Sequence, residues 1–504
     1  MRKFLLLLSL FGATAAQAQK VPDPRLFAKS ITADDLKKHL YIVASADFEG
    51  RETATEGQHK AAAYIENHFK SIGLLPGNGD NYQLPYPVYQ DSLISASLSV
   101  NDQPFTLNQD FFTPVASNNI ISLLGSEVIF AGYGISDSTH DDYKDLNVRG
   151  RIVVVLGGNP PGTPAPTGRR FRGPSKADIA QRNGAAAVLT LQPAGNRPPQ
   201  LTAAKGNMTI SGYKRTNSID NFYITDKVAQ AIFGDDYSKI QSGTPTNKVY
   251  TANIKMELQK TTAQLQASDV LGFLPGTDLK DQIIVISAHM DHLGKRGGEI
   301  YYGADDDGSG TVSILEIASA FAKAKAAGKG PRRSILFLAN SGEEEGLWGS
   351  QYYTDHPTYA LDKTDVDLNI DMIGRIDPNR KQGDSMNYVY VVGSDKLSTD
   401  LKPISEGMNQ KYSKLELDYK FDDPTDPERI YYRSDHFNFA RKGVPIIFYF
   451  DGIHADYHKP SDTPDKINYD LLEKRARFVF YTAWEMADRN DMLKRDIALP
   501  AMSR

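Results

Sequence analysis

The sequence contains no cysteine. Disulfides and the lipidated cysteine of a lipoprotein are therefore excluded, and the stability of the chain has to come from a large core. Any metal site is limited to histidine, aspartate and glutamate donors. There is no basic run and no interleaving of basic with aromatic residues, which argues against a nucleic-acid partner. Past the N-terminus, no stretch is apolar over the roughly 20 residues that a membrane-spanning helix needs. Internal repeats are missing, and only the loop 159–175, NPPGTPAPTGRRFRGPS, comes near low complexity.

What is present describes a globular chain. Its 504 residues are too many for one ordinary core, so two or three domains are expected. The 40% hydrophobic and 24% charged content fits a folded, soluble protein. The opening MRKFLLLLSLFGATAAQAQ has basic Arg2 and Lys3, an apolar run over 4–11 and small residues ending at Ala18. This pattern predicts a signal peptide over 1–18, cleaved after Ala18. The apolar run is too short for a membrane anchor, so the mature protein is expected to be exported, periplasmic or secreted. Without Arg2 and Lys3 its formal charge moves from −5 to −7.

Three regions differ in pattern. In HKAAAYIENHFKSIGL, Ala63, Ile65, Phe69 and Ile72 recur at about helical spacing and Gly73 is a stop signal. Between 101 and 261, short β-rich runs such as EVIFAGYGI and GRIVVVLGG alternate with turns, with one helix-like segment, SKADIAQRNGAAAVLTL. From about Val270, IIVISA, RSILFLAN, DLNIDMIG and VPIIFYF read as strands, the first two separated by the amphipathic GTVSILEIASAFAKAKAAG. This predicts an α/β fold, a mostly parallel sheet flanked by helices, with a β-rich insertion. The expected boundaries are 19–110 and 261–495 for the two parts of the α/β domain and 111–260 for the insertion.

Ligands of such sheets sit outside the carboxyl ends of the strands. There IIVISA delivers His289 and Asp291, RSILFLAN delivers Glu343 and Glu344, DLNI delivers Asp371, and VPIIFYF leads to His454 and His458. The loop before the helix carries Asp305, Asp306 and Asp307 side by side. Each feature alone has an ordinary explanation, such as a solvated turn or an N-cap aspartate. Together they would gather carboxylates that repel each other, an objection that divalent cations remove. Two Zn²⁺ balance three carboxylates and a hydroxide, so a shell of two histidines and three carboxylates would be neutral overall.

HMD, GADDDGSG, EEEGLWGS, NIDMIG and YHKPSDTPDKI, in this order, resemble the co-catalytic di-zinc aminopeptidases, relatives of glutamate carboxypeptidase, the transferrin receptor and glutaminyl cyclase. The likeness covers about 32–75 and 265–490, and VIFAGYGISDSTHDDYKDLNVRGRIVVVLGG is similar to the protease-associated domain often inserted in that family. The resemblance implies a zinc exopeptidase-like fold and two Zn²⁺ per chain. It implies metal ligands His289, Asp306, Glu344, Asp371 and His458, with Asp306 bridging. It also implies Glu343 as general base and Asp291 as the acid that orients His289. His454 is the rival to His458, Glu345 fills a variable position, and Tyr431 and Tyr457 compete to stabilise the oxyanion. SDHF over 434–437 matches a family element without an assigned role.

The expected activity is an exported aminopeptidase acting on peptides, with no nucleic-acid partner and no membrane anchor. A dipeptidase or carboxypeptidase variant and a one-zinc glutaminyl cyclase-like acyltransferase are the alternatives. A receptor-like protein should have lost ligands or base, and a phosphatase or nuclease would want cations, for which only Arg375 and Arg433 offer themselves. Three roles are open to the inserted domain: capping the cleft to restrict substrate length, binding a protein partner of unknown identity, or packing as structure; the long loop 159–175 places the first slightly ahead.

Overall fold

In a computed structural model of the chain, residues 23–498 are described except 116–120, 139, 163–173, 193–201, 212–218, 243–247 and 424. The signal peptide expected over 1–18 and most of the loop 159–175 lie outside the described residues. Two compact units are found, one formed by the chain up to Tyr86 and from Ala267 onward, the other by Pro87–Gln266. The inserted unit starts earlier than the expected 111. The strand Gln83–Val100 runs through that region without a break and turns into a hairpin in which Leu98 pairs with Phe105.

The first unit is built on the end of strand β1 (Val249–Leu274) from Ala267 onward and on β2 (Leu279–His289), β3 (Arg333–Asn340), β4 (Thr364–Ile370), β5 (Tyr388–Val392), β6 (Glu416–Asp418) and β7 (Ile446–Phe450). Their order across the sheet is β6-β5-β7-β4-β2-β3-β1. The four expected strands, β3, β2, β4 and β7, are mutually parallel and form its centre. β5 runs antiparallel to β7, and β1 antiparallel to β3.

Helices cover both faces, which is why the central strands read as nearly continuous apolar runs. Successive side chains of a strand point to opposite faces. Ile284, Ile286 and Ala288 pack in one cluster with helices α1 (Ala33–Val43), α2 (Glu56–Ser71), α3 (Gly310–Ala326) and α6 (Tyr469–Asp488), through Leu40, Phe69, Phe321 and Trp484. Ile283 and Val285 pack in the opposite cluster, with Tyr353 of α4 (Trp348–Asp355) and Phe439 of α5 (His436–Ala440). Ile286 is fully buried, so truncation to alanine would cost about 2–5 kcal/mol.

α2 ends where expected, with Gly73 at φ 79° just beyond its last turn. Its inward stripe is Ala61, Ala62, Ile65 and Phe69, while Ala63 faces solvent. The hydroxyl of Thr32 accepts from the backbone of Asp35 to cap α1, and Asn468 caps α6 the same way at Leu471.

The second unit has parallel strands Ile121–Phe130, Ile152–Leu156, Ala187–Leu191 and Asp220–Ile224 in that order. The helix Lys176–Arg182 starts with a capping box between Ser175 and Asp178. A further helix, Asp226–Phe233, buries Val228, Ala229, Ile232 and Phe233. No helix among the described residues is long and apolar enough to cross a membrane.

Candidate metal centre

Because β2, β3, β4 and β7 are parallel, their carboxyl ends meet on one rim. His289 is the last residue of β2, Glu343 and Glu344 follow β3, Asp371 follows β4, and His458 lies in the loop after β7. His289 Nε2 lies 3.3 Å from Asp306 Oδ1, 3.6 Å from Asp371 Oδ1 and 4.0 Å from Glu343 Oε2. His458 Nε2 lies 3.0 Å from Asp306 Oδ2 and 3.1 Å from Glu344 Oε2. The expected residues are thus gathered into two sets that share Asp306, one oxygen facing each.

The three adjacent aspartates have three different surroundings. Asp305 Oδ1 accepts the amide of Gly374 at 2.7 Å, and its Oδ2 faces His454 Nε2 at 3.2 Å. Asp307 accepts the amides of His289, Gly310 and Met372 at 3.2, 2.8 and 3.1 Å. Only Asp306 reaches both imidazoles of the cluster. Its own amide and that of Asp305 donate to Asp462 Oδ2 at 3.2 and 2.9 Å, which holds the turn. His454 therefore belongs to the supporting network and His458 to the cluster.

Asp291 is fully buried. It accepts from the Thr53 hydroxyl at 2.8 Å and from the Glu343 amide at 3.2 Å, and its Oδ1 lies 3.5 Å from His289 Nδ1. The same ring nitrogen lies 3.1 Å from the Asp291 carbonyl. A proton on Nδ1 satisfies that contact and turns the Nε2 lone pair towards the carboxylates.

Electrostatics reflects the crowding. Burial disfavours charge on His289, but Asp371 and Glu343 outweigh it and raise its pKa well above the ordinary value. Burial likewise opposes charge on Asp306, yet contacts with His289 and His458 hold it well below the usual carboxylate range. Glu343 is pushed far up by burial, and Asp371 and Glu344 add to the shift. His289 Nε2, Asp306 Oδ2 and Glu344 Oε1 are buried without a hydrogen-bond partner. Buried polar atoms without partners are costly. A nitrogen and several oxygens converging in this way make a donor set that suits divalent zinc, and the residues fit metal ions.

A small, partly open pocket lies against the cluster. Asp306, Glu343, Asp371, Arg433 and Tyr457 form its polar side, and Met372, Ile430, Phe448, Phe450 and Ile453 its apolar side. Tyr457 stacks on His458 with ring centroids 3.9 Å apart, and its hydroxyl accepts from Arg433 at 3.0 Å. Tyr431, the other oxyanion candidate, instead packs in the core beside Gly393 and Phe437. Arg375 is committed to Asp456 at 3.0 Å.

Three residues at the site have no counterpart in the sequence expectations: Arg51, Thr53 and His292. Arg51 donates to the carbonyls of Val43, Met290, Tyr302 and Gly303, tying together the loops that carry His289 and Asp306. Three of these partners are backbone carbonyls about 240–250 residues away, which no motif reports. A signal for His292 did exist, its place in HMDH directly after Asp291.

Residues 269–483 match Peptidase family M28. A probable leucine aminopeptidase of Arthroderma otae is 28% identical over 239 residues, 46% of this chain and 61% of that protein. The chain therefore spans less than two thirds of that relative's length. An aminopeptidase from an Aneurinibacillus species has a similar fold, with TM-score 0.58 and 19% identity, covering 95% of this chain and 99% of that one. A zinc aminopeptidase from Bacillus subtilis gives TM-score 0.54 at 19% identity, with coverage of 95% and 99%. The part of the chain that matches Peptidase family M28, residues 269–483, carries His289, Asp291, Asp306, Glu343, Glu344, Asp371 and His458.

Proposed function

We propose that this protein is an exported di-zinc aminopeptidase that removes N-terminal residues from peptides. The observation that supports this most is the double-sided placement of Asp306, one oxygen towards His289 and the other towards His458. In this reading His289, Asp306 and Asp371 hold one ion, and Asp306, Glu344 and His458 hold the other. Bound there, the pair would acidify water, polarise the scissile carbonyl and neutralise the crowded carboxylates.

The chain's own residues supply the rest. Glu343, on the pocket wall, takes the proton of the attacking water and returns it to the departing amine. Asp291 holds His289 in one tautomer and, through the Glu343 amide, also fixes the base. The Tyr457 hydroxyl, held by Arg433, donates to the oxygen on which negative charge develops. The apolar side of the pocket receives an apolar side chain at the substrate's N-terminus, in keeping with the leucine aminopeptidase named among the relatives. We read the inserted unit as a protease-associated domain and 1–18 as the export signal.

A dipeptidase is the second reading, and Arg433 favours it. This guanidinium lies in the substrate pocket, and its nearest carboxylate outside the cluster, Glu428, is 3.9 Å away. A dipeptide would bring its own carboxylate to that charge. The test of both is release of free amino acids by the purified protein from free, N-acetylated and dipeptide substrates. Cleavage of free but not acetylated peptides of several lengths supports the aminopeptidase, and cleavage of dipeptides alone supports the second reading. Turnover of acetylated peptides at the same rate would overturn both.

A further inference from the structure

We infer that His292 is an additional ligand at the Asp306 Oδ2–Glu344 side of the centre, giving that position a stronger hold on its ion than its neighbour. The inference rests on the di-zinc reading above and deepens it.

His292 is 1% exposed, and both of its ring nitrogens are buried without a hydrogen-bond partner. Its Nδ1 lies 2.8 Å from Glu344 Oε1, yet the two do not form a hydrogen bond, and Glu344 Oε1 is itself without a partner. Two such atoms side by side need a positive charge between or next to them, which a proton on His292 or a cation bound to both supplies. Donors bound to one tetrahedral zinc ion at about 2.0–2.2 Å stand roughly 3.3–3.6 Å from one another, a spacing bracketed by this 2.8 Å contact and the next one. Asp306 Oδ2 lies 3.8 Å from the same nitrogen. His292, Asp306 and Glu344 each offer an atom within 4.8 Å of the others, a grouping that can hold an ion.

The ring is also held in place. Gly303 sits at φ 53°, and a Cβ there would come within 2.4 and 2.6 Å of the His292 ring and 2.2 Å of the Asp306 carbonyl. Glycine is thus required for this approach, and the imidazole fills the space a side chain would take. The His292 amide donates to the Arg51 carbonyl at 3.2 Å, so the backbone is fixed as well. A histidine serving only as packing would be expected to find a hydrogen-bond geometry with these carboxylates rather than face them without one, at a cost of about 1–3 kcal/mol.

With His292 included, the Asp306 Oδ2 position has two imidazoles and two carboxylates, His458 adding its Nε2 from a side chain that is 31% exposed. The Asp306 Oδ1 position has one imidazole, His289, and two carboxylates. Four protein donors close a tetrahedral site, whereas three leave a position for substrate. The three-donor position should therefore lose its ion first to a chelator and is the one open to exchange with substrate.

The test is titration of the metal-free full-length protein with Zn²⁺ and with Co²⁺ against a competing chelator. Wild type is expected to show two classes of site. His292→Ala should weaken the tighter class at least 10–100-fold and spare the weaker, while His289→Ala should act on the weaker. Unchanged affinity of both classes in His292→Ala overturns the inference and leaves the di-zinc reading standing. Uptake of fewer than two ions by wild type removes both. Should His292→Ala fail to fold, X-ray absorption of wild type carrying one equivalent of Co²⁺ decides: two imidazoles on the ion are expected, and one overturns the assignment.

Discussion

Arg51→Met is the perturbation whose size follows most directly from the structure. The guanidinium is 1% exposed and donates to four carbonyls, Met290 at 2.7 Å, Val43 at 2.7 Å, Tyr302 at 2.8 Å and Gly303 at 2.9 Å. Burial lowers its pKa to about 10, against the attraction of Asp291 and Asp307, so it stays charged at neutral pH. Hydrogen bonds from a charged donor contribute about 1.5–3 kcal/mol each, and carbonyls left unsatisfied cost a similar amount. Against this stands the desolvation of the buried cation, several kcal/mol that the variant no longer suffers. The net loss should be about 3–5 kcal/mol, or a fall of about 8 °C in Tm at roughly 2 °C per kcal/mol for a unit of this size. Both tryptophans, Trp348 and Trp484, are buried in the same unit, so urea unfolding followed by fluorescence reads that unit. Arg51→Lys keeps the charge but not the fork of donors and should recover less than half of the loss. A loss below about 1 kcal/mol for Arg51→Met, with an unchanged denaturant slope, would refute the claim that this side chain clamps the two site loops.

Other consequences are equally specific. Glu343→Gln should keep both ions and lose about 10²–10⁴-fold in kcat; near-normal turnover with metal bound would remove Glu343 as the base. Tyr457→Phe should lower kcat by about 10–10²-fold with little change in KM, and an effect confined to KM would make the hydroxyl a binding group instead. His68, remote from the metal centre, hydrogen-bonds Ser319 and faces His39. Burial, then His39, lower its pKa to about 4, so between pH 6.5 and 4 the unfolded chain takes up a proton that the folded one refuses. Its contribution to stability is therefore present above pH 6.5 and is lost as pH falls towards 4, by up to about 3 kcal/mol. Stability curves of wild type and His68→Gln should converge over that interval, and parallel curves would contradict the assignment.

The legible parts of the fold were those with a strong pattern. β2, β3, β4 and β7 carry buried, largely apolar runs because both faces are covered, and their parallel run places chemistry at one rim. The run YVYVV of β5 is just as apolar, but it lies far from any motif and its antiparallel pairing with β7 has no local signature. The true start of the inserted unit was hidden because one strand crosses it without a turn signal. At the site, the resemblance singled out Asp306 from its two neighbours. The reasons that Asp305 and Asp307 are also acids, His454 on one side and the backbone amides of His289 and Met372 on the other, come from other segments of the chain. Arg51 and Thr53 act through contacts roughly 240 residues away. Residue spacing alone carries no trace of such partners.

The most direct test is diffraction from crystals of the zinc-loaded protein at the zinc absorption edge. The account predicts two anomalous peaks about 3.5–4 Å apart, one on each side of the Asp306 carboxylate, with His289 and Asp371 at the first and Glu344 and His458 at the second. A single peak, or peaks that leave Asp306 unliganded, would contradict it.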